Sequence, residues 1–278
     1  MKTKIKRKFA VSGIFKYIVL IAFAIIDFYP FFWVLMSSFK DNIAITAEPL
    51  ALPKSISFSS YIGVWTDVKI GVNFINSIIY SACGVVLIVL LSSMVAYVIT
   101  RVLPSKLLYS YFTLGIMIPI HAILIPTFII MKQLSIYNTR LGFIVLITAS
   151  NLSLAIFILT SFMKSIPVEL DEAAYMDGCG YFKMFYKIAF PMAKPGLATI
   201  GTLTLLNCWN EYLFAYMMLA NEKIKTITQG IFALKGLYHT DYSTLCAGLM
   251  IAIIPMMAFF VIFQEQVIGG MTAGAVKG

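Results

Sequence analysis

Charge is what this sequence has least of. Asp, Glu, Lys and Arg make up 12% of its 278 residues, and hydrophobic residues make up 60%. A soluble domain carries roughly 25% charged residues, so an ordinary water-facing surface is excluded. Paired cysteines are missing as well. Cys83, Cys179, Cys208 and Cys246 form no CxxC pair, and three of them lie in apolar stretches. That argues against a zinc site or a disulfide framework, and for cysteine used as a small apolar residue. Histidine is nearly absent. His121 and His239 stand far apart, and no HExxH or GxSxG signature occurs. An intramembrane enzyme would need a cluster of acid, base or metal ligands, and none is visible. No Gly-Lys dipeptide occurs anywhere, so there is no Walker A loop to wrap a nucleotide's phosphates. Any ATP chemistry must come from another chain. No cofactor or metal is expected on this one.

What the sequence has is long apolar runs. Six of them, roughly 17–39, 74–99, 107–131, 141–162, 197–219 and 245–263, are each about long enough to cross a hydrocarbon core of roughly 30 Å. The ten-residue alternation of a barrel is absent. The expectation is an all-α membrane protein with six transmembrane helices. The N-terminal MKTKIKRK could open a signal peptide. The apolar run after it is span-length and lacks a small-residue cleavage site, so an uncleaved first helix is expected. With that end in the cytoplasm, 13 of the 21 Lys and Arg residues fall on the inner side. This bias favours both termini in the cytoplasm. It also accounts for the +9 net charge without invoking nucleic acid. The chain then divides into a basic N-terminus (1–16), a first helix (17–39) and an extracytoplasmic loop (40–72). A transmembrane core (73–264) carries a cytoplasmic loop (163–196), and a cytoplasmic tail follows (265–278).

The cytoplasmic loop, SIPVELDEAAYMDGCGYFKMFYKIAFPMAKPG, is not a plain linker. Ser165 and Pro167 read as a helix start, with Ser165 as N-cap. Glu169, Asp171 and Glu172 follow where a helix N-terminus favours negative charge. Leu170, Ala173, Ala174 and Asp177 then share one face, and the small residues among them permit close approach to another surface. Gly178 and Gly180 should end this helix. A second, amphipathic stretch over 181–189 should stop at Pro191 and Pro195. Two short helices could rest on lipid headgroups or dock on a protein.

The loop resembles the EAA motif of ABC-importer permeases. That motif is Glu-Ala-Ala, three residues, Gly, nine residues, then Ile-x-Leu-Pro. Here Glu172, Ala173 and Ala174 are followed by Gly178, then Ile188, Ala189, Phe190 and Pro191 at the matching spacing, with Phe190 replacing leucine. The resemblance implies a type I importer permease in a bacterial cytoplasmic membrane. It would be a transport subunit and not an enzyme. Its loop helices would dock in a groove of a cytoplasmic ATPase, through Glu172, Ala173, Ala174, Asp177, Gly178, Ile188 and Pro191. Glu172 would pair with a basic residue there, and Gly178 would form the bend.

Further segments resemble the carbohydrate-uptake branch, the maltose-permease type. They are FINSIIYSACGVVLIVLLSSMVAYVITR, MIPIHAILIPTFIIMKQLSIYNTRLGFIV, WNEYLFAYMML and the tail TAGAVKG. The likeness covers nearly the whole chain. It implies a second permease subunit forming a heterodimer, two ATPase copies carrying ATP and Mg, an extracytoplasmic solute-binding protein, and a sugar as cargo. It also implies that the tail, including Thr272, Ala273, Gly274 and Lys277, reaches between the ATPases. The preceding FQEQVIGGM departs from the branch, which more often has a basic residue near Glu265 and an acidic one near Gly269.

Polar residues inside spans are costly and face protein or water. Trp209, Asn210 and Glu211 combine a ring for a sugar's apolar face with groups for its hydroxyls. They could equally fasten helices together. His121, between Pro119 and Pro126 in a kinked third span, could line a cavity or satisfy a neighbouring helix. Asp27 reads as a structural or water-exposed group. Asn73, Asn76 and Asn207 read as interhelical hydrogen-bond groups. Asn151, in the pattern Asn-Leu-Ser, reads as membrane-embedded. The alternatives are a permease for another solute and an ion-coupled secondary transporter. The latter predicts inverted repeats and several intramembrane carboxylates, and only Asp27 and Glu211 qualify.

Overall fold

A computed structural model describes the backbone of residues 2–66, 68–236 and 240–275, and the side chains of 13–66, 68–236 and 240–265. His239 and Lys277 lie outside these residues, as do the side chains of Thr272, Ala273 and Gly274. Among the described residues every regular element is helical. The chain divides into two compact units, Met1–Lys69 with Ala233–Ile253, and Ile70–Phe232 with Ile254–Gly278.

The first unit contains α1 (Lys2–Ser37), α2 (Asn42–Ala47), α3 (Ser59–Thr66) and the opening of α14 (Tyr242–Ala275). The region after α1 is held by aromatic packing. Phe39 meets Phe58 edge-on at 5.4 Å, and Tyr61 at 5.6 Å. Lys40 is buried, and its ammonium donates to the Glu48 carbonyl at 3.1 Å. Asp27 is exposed on α1.

Asp241 caps α14. Its carboxylate accepts from the backbone N–H of Ser243 (3.0 Å) and Thr244 (3.4 Å), and from the Thr244 hydroxyl (2.6 Å). Partial burial pushes this carboxyl up, but the bonds from Thr244 and Ser243 outweigh it and hold its pKa below the ordinary aspartate value. The resulting stabilisation is present above the ordinary value and is lost as pH falls through the lowered folded value. Asp241→Ala is expected to cost about 1 kcal/mol, read as a lower melting temperature in detergent near neutral pH. The gap between the proteins should close in strong acid.

The second unit is built around α4 (Ile70–Tyr97), which continues as a π turn, Val98–Val102. Its buried stripe includes Asn73, Ser77, Ser81, Gly84, Ser92 and Ala96. Small residues at helical spacing let helices approach closely when hydrophobicity alone cannot drive them together. At Gly84 a Cβ would lie 3.0 Å from Ile147 Cδ1 and 3.2 Å from Cys208 Sγ. α4 is therefore wedged between α7 (Arg140–Ser165) and α11 (Lys194–Asn210). Cys208 serves as a small packing residue, as its apolar setting suggested. Tyr80 packs on Phe143 at 4.8 Å and donates to the Ile224 carbonyl at 2.8 Å. Asn76 donates to the carbonyls of Lys223 and Lys225, both at 3.0 Å, and accepts from Arg140 at 3.0 Å. Its expected role as an interhelical bonding group is what the structure shows.

Among the described residues, four helices are long and apolar enough to cross a membrane: Gly13–Ser37, Ile70–Val102, Arg140–Ser165 and Tyr242–Glu265. The expected third span is a corner instead of a kink. Lys106–Met117, comprising α5 (Lys106–Leu114) and a 3₁₀ turn, meets α6 (Ile120–Gln133) at 102°. The break falls at Pro119, which caps α6, because proline disfavours helix at the residue before it. Ile118 is accordingly extended (φ −82°, ψ 117°). Pro126 sits inside α6. The expected fifth span is interrupted between Asn210 and Leu213, where Glu211 is extended (φ −65°, ψ 117°), and resumes as α12 (Leu213–Met218).

Candidate functional site

The loop between α7 and α11 folds as three helical pieces: α8 (Glu169–Met176), α9 (Tyr181–Met184) with a π turn Phe185–Ala189, and α10 (Phe190–Met192). Its start differs from expectation. Ser165 is the last residue of α7, and its hydroxyl donates to the Phe162 carbonyl at 2.7 Å. Pro167 forces Ile166 into an extended conformation (φ −74°, ψ 129°), so the helix N-terminus moves on to Val168. No side chain caps it. The three carboxylates Glu169, Asp171 and Glu172 occupy the first turn, where the exposed N–H groups and helix dipole favour them.

α8 ends in a Schellman motif. The Gly178 N–H donates to the Tyr175 carbonyl (2.9 Å), and the Cys179 N–H to the Ala174 carbonyl (2.9 Å). Gly178 takes φ +74°, which an L side chain resists. The backbone therefore turns at Gly178. The second stretch runs through Pro191 to Met192, past the expected stop, and only Ala193 separates it from α11. The π turn before Pro191 loosens the backbone register there, and Pro195 is accommodated in the first turn of α11.

One side of this loop is fixed to its own chain. Ala174, Met184, Phe185, Ala189 and Ala193 are buried, and Phe185 meets Tyr97 at 5.4 Å. The other side is open. Glu172, Ala173, Asp177, Gly178 and Pro191 are exposed, while Ile188 is half-buried. Ala173 and Ala174 therefore part company, one outward and one inward. Around the outward carboxylates lie Tyr175, Met176, Tyr181, Phe182 and Tyr186, all exposed, with Met176 at 84% and Phe182 at 77%. Large apolar side chains grouped in the open mark an interaction surface.

Arg101 was not singled out from the sequence. It stands at the end of α4, and its Nε lies 3.2 Å from Asp171 Oδ2. Its guanidinium also donates to the carbonyls of Met163, at 3.1 Å, and Ile166. The one signal available was a basic residue at the end of a span, which topology alone explains.

The candidate path residues make separate contacts. Trp209 is buried and meets Phe74 edge-on at 5.7 Å. Asn210 is exposed and donates to the Leu206 carbonyl at 3.0 Å. Glu211 accepts from the Phe214 N–H at 2.8 Å, tying down the start of α12. His121 is exposed in the first turn of α6. A pair that the sequence reading had not joined also emerges: Asn207 donates to Asn151 at 3.1 Å, linking α11 to α7.

Residues 88–268 match the family model described as the binding-protein-dependent transport system inner membrane component. The chain belongs to that family. This permease is a multi-pass membrane transport subunit rather than an enzyme. It is 33% identical to the diacetylchitobiose uptake system permease protein NgcG of Streptomyces coelicolor, with 93% of this chain and 87% of that protein covered. It is 32% identical to the melibiose/raffinose/stachyose import permease protein MelC of Bacillus subtilis, over 90% and 92% of the two chains. The permease also shares its fold with a bacterial ABC transporter that imports the acidic polysaccharide alginate. There the TM-score is 0.81 at 24% identity, with 92% of this chain and 96% of that chain covered. The fold of the MetNI methionine ABC transporter is more distant, with a TM-score of 0.52 at 17% identity over 75% and 94% of the chains.

Proposed function

We propose that this permease forms half of the membrane pathway of an ATP-driven sugar importer and takes its energy through the loop at 163–196. The exposed Glu172 face of α8, closed by the Gly178 bend, is the observation that carries this reading. A helix presenting carboxylates among exposed aromatics, with its other side anchored to the transmembrane helices, suits docking to a basic groove on a cytoplasmic ATPase. Ala173, Asp177 and Gly178 would meet that partner. Ala174, Ile188 and Pro191 would set the shape of the loop behind them. The partners would be a second permease, two ATPases carrying ATP and Mg, and an extracytoplasmic binding protein. Residues 272–278 would reach toward the ATPases.

Six crossings fit this reading: α1, α4, the α5–α6 corner, α7, α11 with α12, and α14. Both termini would then be cytoplasmic, in keeping with the lysine and arginine bias. Sugar as cargo is supported by the substrates named for the two relatives. Asn151 within α7, and Asn207 and Asn210 in the last turn of α11, add support, since amides in apolar segments match sugar hydroxyls better than lipid. Glu211, Trp209 and His121 would contribute to the same path.

The test is uptake into proteoliposomes holding the whole complex, with MgATP inside. Binding protein and labelled diacetylchitobiose, melibiose or raffinose would be supplied outside. Uptake of at least one sugar that requires internal MgATP and survives a protonophore is expected. Uptake driven by a proton or sodium gradient without ATP would overturn the ATP-driven reading. ATP-dependent uptake of an amino acid but of no sugar would overturn the cargo.

A further inference from the structure

The loop is joined to the membrane helices covalently at two places, α7 and α11. Arg101 supplies a third, non-covalent tie. It stands in the π turn that continues α4, and its one guanidinium holds two carbonyls that close α7, those of Met163 and Ile166, together with Asp171 in the first turn of α8. It therefore bridges the bend from α7 into α8. Both charged side chains are nearly enclosed, at 13% and 14% exposure. In such a setting a charge pair is weakly screened and geometrically demanding.

The groups around it are incompletely satisfied. Both carboxylate oxygens of Asp171 and the hydroxyl of Tyr97 are buried and have no hydrogen-bond partner among the described residues. The Arg101–Asp171 contact is thus an ion pair without an in-line hydrogen bond. Tyr97 lies four residues before Arg101, on the same face, and within electrostatic reach of both charges. Leaving a buried hydroxyl undonated beside a buried acceptor is costly. A movement of α8 that brought Asp171 to the Tyr97 hydroxyl would let that O–H donate to it.

We propose that Arg101 is a positioning residue that passes displacement of α8 to α4, with Tyr97 as the hydrogen-bond donor to Asp171 in the displaced state. This rests on the reading of 163–196 as the ATPase-docking loop. It gives that loop a route into the transmembrane core other than its two covalent legs. A route of this kind requires a two-state element that both ends bias, and that is the role proposed for the Arg101–Asp171–Tyr97 group.

Amide hydrogen exchange in the whole complex, with and without MgATP and vanadate, tests it. In the unmodified protein the segments 97–105 and 169–176 should change protection together. In Arg101→Gln the response of 169–176 should persist, while that of 97–105 shrinks about fivefold or more, the lower end of typical coupling between sites. Arg101→Lys should restore part of it. An unchanged response of 97–105 in Arg101→Gln would overturn the proposal. If Arg101→Gln does not accumulate, Asp171→Asn keeps the shape and leaves both carbonyl bonds intact. It should show the same loss, and an unmodified response in Asp171→Asn would equally overturn the proposal. Absence of any nucleotide response at 169–176 in the unmodified protein would instead refute the docking-loop reading.

Discussion

Glu172→Lys is expected to lower MgATP-dependent sugar uptake by more than about tenfold and to reduce the ATPase recovered with the permease. The chain itself should still reach the membrane at normal levels. The side chain is exposed on α8 and makes no hydrogen bond or ion pair among the described residues, so folding has little reason to suffer. The substitution replaces an attraction with a repulsion, and a mispaired charge at an interface costs roughly 2–5 kcal/mol, where each 1.4 kcal/mol is tenfold. It also puts a positive charge at a helix N-terminus, which the dipole disfavours. Uptake at the unmodified rate with normal ATPase recovery would contradict the assignment of this face. Parallel measurement of membrane-inserted protein separates lost docking from lost chain.

Gly196→Val is expected to act oppositely, on the frame and not on the exposed face of α8. Gly196 is buried in the first turn of α11 and faces the last turns of α7. A Cβ there would lie 2.5 Å from Phe162 Cγ and 2.9 Å from Phe162 Cβ. Phe162 cannot yield at its Cβ without moving α7, so the two legs of the loop would be forced apart. Overpacking of this kind costs about 1–3 kcal/mol, occasionally more. The expected result is a several-fold drop in folded permease extracted from the membrane, with ATPase binding falling in proportion. Normal yield and melting behaviour would show that α7 and α11 do not depend on this contact.

The sequence carried the class of fold because lipid demands long apolar helices, and six such runs stand out. Where the structure departs from that reading, a local backbone effect has overridden hydropathy. Pro119 turns the third run into a 102° corner, and averaging hydropathy along a run is blind to a change of direction. At Glu211 the helix stops so that the carboxylate can accept the Phe214 N–H, whereas the composition there reads as one continuous span. Pro167 moves the start of α8 past Ser165 in the same way. The loop at 163–196 was legible because its spacing is fixed and its bend needs a positive-φ residue, which Gly178 supplies. Arg101 was not legible. Its partners lie 62 to 70 positions away in sequence, at Met163, Ile166 and Asp171. A span-end arginine already has a sufficient topological explanation. The inward turn of Ala174 was likewise invisible, because spacing gives the face of a helix and not which side meets its own chain.

That last difference supplies the most direct test of the central claim. With the four native cysteines replaced by serine, a single cysteine at position 173 or 174 would be crosslinked to the ATPase in native membranes by a short bifunctional reagent. Ala173→Cys should form the crosslink in good yield, and MgATP with vanadate should change that yield. Ala174→Cys, whose side chain faces the permease's own core, should form little or none. No crosslink from Ala173→Cys in membranes that still import sugar, or equal crosslinking from both positions, would contradict docking through the outward face of α8.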